Sequence, residues 1–211
     1  DTEDAYPEDE DKAFEEFTPS KYGNGSIAFE DLWPTYGDYD FNDLVFTYRA
    51  IVILNSDNQV VQVDFICKVK SNKAGYDNGF GLEIEGMDPS LVESVTGTAY
   101  SHDFISLNSN GTEANQTNAV IIFTDSADNF LNETTVSIKL TQPISSNQLG
   151  AAPFNPFMFI NKERHKEVHL PNKGKTDLGT NVSISEGINS DLDGDFISDN
   201  GMPWSISIIH D

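Results

Sequence analysis

The sequence predicts an all-β fold, most simply an antiparallel β-sandwich of jelly-roll-like type with long loops. Three observations point there. Short runs rich in Val, Ile, Phe and Thr recur along the chain, each bounded by Asn, Asp, Gly, Ser or Pro clusters. Helical periodicity is confined to short turns near residues 89–94 and in the acidic N-terminal stretch. At 211 residues the chain is also long enough to bury one sizeable core.

The runs follow in order. "SIAFEDLW" precedes "LVFTYRAIVILN" and "QVVQVDFICKVKS", and the last two are joined by "NSDNQ", whose turn formers make a hairpin the economical reading. "FGLEIEG", "AVIIFTD" and "TTVSIKLTQ" come next, then the shorter "FMFI", "EVHL" and "WSISII". Long polar connections such as "LNSNGTEANQTN" separate them, and loops of that length are usually functional or disordered. The first sixteen positions hold nine acids and one lysine, so residues 1–25 read as an acidic, flexible leader and residues 26–211 as a single β-sandwich domain.

Charge excludes two partner classes. Asp+Glu number 35 against Lys+Arg 12, and the net charge of −23 repels both nucleic acid phosphates and anionic membrane surfaces. No stretch approaches the roughly 20 apolar residues of a membrane span. The chain reads as a mature or trimmed form, with room for a lipid anchor upstream. The single Cys67 forms no internal disulfide and suits a small apolar core position. Five Asn-x-Ser/Thr triplets carry no weight in a chain this rich in those residues.

The segment "GDYDFNDLVFTYR" crowds Asp38, Asp40, Asn42 and Asp43 beside an apolar run. Strand alternation would put Asp43 on the face opposite the other three, so only a loop can make them converge. The flanking Tyr39, Phe41, Leu44 and Phe46 draw that loop toward the core, where unpaired carboxylates are costly. A cation among them relieves the repulsion, and oxygen donors without His or Cys favour calcium. Gly37 permits a tight backbone turn, and Glu30 with Asp31 just upstream could complete the shell.

These residues also carry a family resemblance. "FEDLWPTYGDYDFNDLVFTYR", followed by "NPFMFI", "HLPN" and "NGMPWSI", resembles the LruC-type domain of exported and outer-membrane lipoproteins of Bacteroidetes and spirochaetes, over residues 26–209. The resemblance implies a β-sandwich on the bacterial surface or in the periplasm, with no established enzymatic activity. The "GDYDFND" segment also looks like the motif of other secreted β-domains that bind calcium, and this likeness carries the metal expectation to Asp38, Asp40, Asn42 and Asp43. The expected partner is a protein or glycan at the cell surface.

A second acidic run, "DLDGDFISDNG", places Asp191, Asp193, Asp195 and Asp199 at the first, third, fifth and ninth positions of an EF-hand-like loop. Phe196 then stands where glycine belongs, and Met202 where a bidentate glutamate belongs. A solvated loop and a weaker second calcium site both fit. In "HKEVH", His165 and His169 would lie about 13 Å apart on a strand, too far to share one ion, and surface or loop positions are expected. Glu83 and Glu85 share a strand face about 7 Å apart, inside the range of paired glycosidase carboxylates. A glycan-active jelly roll or carbohydrate-binding module is therefore the alternative, against exposed glutamates on a half-buried strand. Trp33 and Trp204 are expected in the core, with Tyr36 and Tyr39 left open.

Overall fold

The computed structural model describes residues 4–179, 191 and 194–209. Eleven strands are formed among them: β1 (Phe14–Thr18), β2 (Gly25–Phe29), β3 (Leu44–Leu54), β4 (Val60–Ser71), β5 (Gly79–Ile84), β6 (Val92–Thr96), β7 (Ala119–Thr124), β8 (Thr134–Ile144), β9 (Asn155–Phe159), β10 (Glu167–His169) and β11 (Ser205–Ile209). One sheet runs β11-β2-β3-β4-β8-β6, with β1 also paired to β3; the other runs β10-β9-β5-β7. All strand pairs in the two sheets are antiparallel among the described residues.

Burial alternates along β3, so Phe46, Tyr48, Ala50 and Val52 face inward while Thr47, Arg49 and Ile51 face out. The two sheets meet through aromatic rings. Phe46 of the large sheet stacks on Phe80 of the small one at 3.8 Å between centroids, and Phe65 meets Phe123 edge-on at 5.4 Å. The sandwich architecture follows from this shared core.

The expected hairpin is present. Asn55 and Gln59 close it with a backbone hydrogen bond of 2.9 Å, and Asn58 takes the left-handed conformation at φ 57°. Two strands arise outside the runs singled out in the sequence. Residues 14–18 fall within the expected leader, yet β1 pairs with residues 50–54 of β3, in line with β2, which takes residues 44–48 of the same edge. The turn at residues 89–94 is a single 3₁₀ turn, Pro89–Leu91, capped by Asp88, and it leads directly into β6.

The small sheet is buried on both faces. Its outer face carries Val120, Ile122, Phe157 and Phe159, covered by Tyr100, Phe104 and Ile105. Among the described residues no helix is long and apolar enough to cross a membrane.

Candidate metal centre

The first acidic motif sits where β2 ends and β3 begins. Glu30 follows β2 directly, and its backbone N–H donates to the Trp204 carbonyl at 3.0 Å. Its side chain is fully buried. The chain then leaves the sheet and returns as a curled loop, with Tyr39 at φ 54° and Phe41 at φ 53°. These left-handed residues turn the Tyr39 N–H onto Glu30 Oε2 at 3.0 Å and the Phe41 N–H onto Glu30 Oε1. The Tyr39 ring packs on Trp204 at 5.3 Å. Gly37 sits at a close approach, where a Cβ would lie 3.1 Å from both Glu30 Oε2 and the Trp204 ring and would press on them.

Wrapping the loop around Glu30 brings Asp38 and Asp40 to the same point. One carboxylate oxygen each from Glu30, Asp38 and Asp40 lie within 4.8 Å of one another, Glu30 buried and the aspartates exposed. The other expected members take different places. Asn42 donates from its side chain to Asp40, while its carbonyl accepts from Ser71 Oγ at 3.1 Å. Asp43 turns back to accept the Asp31 N–H at 2.9 Å, and Asp31 in turn accepts from the buried Asn78 at 2.9 Å. Asn42 thus lies directly beside Asp40, while Asp43 and Asp31 tie the loop to the end of β2 and to Asn78.

The electrostatics are those of crowded carboxylates. Burial pushes the Glu30 carboxyl up to about 7, the charges of Asp43 and Asp38 adding to it against the two backbone N–H bonds. Burial likewise pushes Asp43 up to about 6, with Asp31 and Asp38 adding. Among the described residues no lysine or arginine forms an ion pair with Glu30, Asp38, Asp40 or Asp43. The donor set is all oxygen, which suits a hard divalent ion.

The second acidic run is arranged differently. Asp191 is buried and accepts from Trp33 Nε1 at 2.7 Å, Gly194 N at 2.9 Å and Phe196 N at 3.2 Å. Phe196, at the position where an EF-hand has glycine, adopts φ 63° and packs its ring into the core against Trp33. Asp195 accepts its own neighbour Ile197 N at 3.0 Å, and Asp199 receives the Tyr36 hydroxyl at 3.4 Å. Asp193 lies outside the described residues.

Two expectations are corrected on the outer side of the small sheet. Glu83 is not an exposed glutamate: it is buried, and its oxygens accept from Asn118 at 2.8 Å and Asn155 at 2.9 Å. Glu85 is exposed and pairs with Lys173 at 2.6 Å. His169 is not a surface residue but fully buried, with Nδ1 at 2.8 Å from Asn155 Oδ1 and Nε2 at 2.9 Å from Glu167 Oε2. Arg164 completes the network, reaching Glu167 and holding Glu113 through Nε at 2.6 Å and Nη2 at 2.5 Å. The segment after β9 folds over the sheet and buries what local alternation would expose. Both tryptophans are core residues as expected, while Tyr36 is 56% exposed.

Comparison with known proteins gives a fold and a family. The crystal structure of a "Putative lipoprotein" from Bacteroides ovatus superposes with a TM-score of 0.59 at 16% identity, covering 92% of this chain and 65% of that one. The two share the fold, and this chain spans about two thirds of that protein's length. No curated protein matches. The family model described as "Domain of unknown function (DUF4842)" matches residues 58–211, and the chain belongs to that family.

Proposed function

We propose that this chain is a non-enzymatic, exported calcium-binding module of the cell envelope, a jelly-roll-like domain of the LruC type with an interaction or structural role. The convergence of Glu30, Asp38 and Asp40 carries this reading. A calcium ion there would compensate the carboxylates that the fold gathers beside Trp204, fix the loop at residues 37–43, and add its binding free energy to the folded state. Glu30 would act as the inner ligand, held in place by two backbone N–H groups, with Asp38 and Asp40 closing from the solvent side. Export to the periplasm or outer surface is supported by the resemblance of the first motif and by the likeness to a protein described as a lipoprotein. The long loops would present a surface to a protein or glycan.

Thermal melting with calcium and with chelator tests the reading. The midpoint rises with calcium in the wild type and responds much less in Asp40→Ala. A midpoint indifferent to calcium and chelator in the wild type defeats it.

A further inference from the structure

Positive charge is scarce in this chain, yet part of it is segregated on the outer face of the large sheet. Arg49 on β3 and Lys68 and Lys70 on β4 all point away from the core, because their neighbours Tyr48, Ala50, Cys67 and Val69 are core residues. Arg49 lies directly across from Ile66, and Lys68 across from Thr47. Lys21 joins them, its ammonium 5.4 Å from the ring of Phe17, whose register partner is the outward-facing Ile51. None of these four cations forms an ion pair with a described residue. The Nε of Arg49 is buried against the sheet without an acceptor. Two carboxylates border the patch: Asp64 accepts from Gln62 at 2.7 Å, and Glu133, one residue before Thr134, falls opposite Lys68 in register without an ion pair to it.

The geometry points to this face as a docking surface for an extended, acidic polypeptide segment carrying carboxylates at alternate positions. Lys68 and Lys70 stand two residues apart on one strand, about 7 Å, which is also the repeat of alternate side chains in an extended peptide. Arg49 extends the row, since diagonal cross-strand neighbours lie about 7–8 Å apart. The next strand offers Thr135 and Ser137 on the same face, hydroxyls that hydrogen-bond a peptide backbone without demanding an apolar pocket. Arg49 supplies the directional contact through the outer N–H groups of its guanidinium, which bind a carboxylate in pairs. The rest of a surface with net charge −23 repels such a ligand, so binding is confined to this patch.

The experiment titrates a fluorescent peptide of alternating Glu and Thr into the full chain at low and at physiological salt, by anisotropy. Saturable binding that weakens with salt is expected, with at least a tenfold loss in the Lys68→Glu/Lys70→Glu double variant and a smaller loss in Lys68→Gln/Lys70→Gln, both melting like the wild type. Absence of peptide binding at low salt, or undiminished binding by both double variants, overturns the proposal. Polygalacturonate and anionic phosphatidylglycerol vesicles serve as competitors in identical buffer. If either binds as tightly as the peptide, the assignment of a polypeptide occupant is overturned.

Discussion

The indole N–H of Trp33 donates to Asp191 Oδ2 at 2.7 Å across 158 positions of sequence. Both groups are buried, and the bond ties the loop after β2 to the segment that leads into β11. The first acidic motif is thus braced from the C-terminal end of the chain, through Trp33 here and through Trp204 beneath Glu30.

Trp33→Phe keeps the ring in the core and removes one donor from a buried carboxylate. A hydrogen bond to a charged group contributes about 1.5–3 kcal/mol, so urea denaturation should show a loss of that order. A change within experimental error would mean that the remaining donors to Asp191 suffice.

Glu30 and Asp43 set a pH dependence with a definite sign. Both carboxyls have folded-state pKa values raised above their ordinary ones, to about 7 and about 6, so the stability they confer when protonated is lost as pH rises through those values. In chelator, Glu30→Gln should therefore gain on the wild type progressively between about pH 4.5 and 7. If calcium binds there as proposed, the order reverses in its presence, because the ion would stabilise the ionised carboxylate. Denaturation midpoints of the two proteins across that range, with and without calcium, check both halves.

Glu167 behaves in the opposite way. Burial alone would raise it, yet the hydrogen bond from His169 and the charge of Arg164 hold its carboxyl down at about 2. Its contribution is complete above the ordinary glutamate range and lost as pH falls toward 2. Arg164→Met leaves Glu113 and Glu167 buried without the guanidinium between them, and about 3–5 kcal/mol of stability should disappear at neutral pH. A loss below about 1 kcal/mol, the size of an exposed pair, would contradict the buried geometry.

Gly79→Ala tests packing on the outer side of the small sheet. A Cβ at that position would lie 1.9 Å from the ring of Phe159, itself fully buried under the covering loops. Overpacking of this kind costs about 1–3 kcal/mol, readable as a lowered melting temperature. An unchanged midpoint would show that the covering loops yield to the displaced ring.

The sequence by itself determined the sandwich class and nine of its strands, because an alternating apolar pattern states which side of a strand is dry. It also located the loop at residues 38–43 and its acids, since crowded like charges beside an apolar run are a local signal. It could not assign β1, where Glu15 and Glu16 interrupt the pattern and pairing with β3 decides the matter. Nor could it show that Glu30, Asp38 and Asp40 are carboxylates that converge. That convergence depends on the backbone curl at Tyr39 and Phe41, on the absence of a Cβ at Gly37, and on Trp204 arriving from the far end of the chain. The burial of Glu83 and His169 belongs to tertiary structure for the same reason. Strand periodicity describes one sheet face against its own core, whereas a loop folding over the other face removes water that no local pattern records.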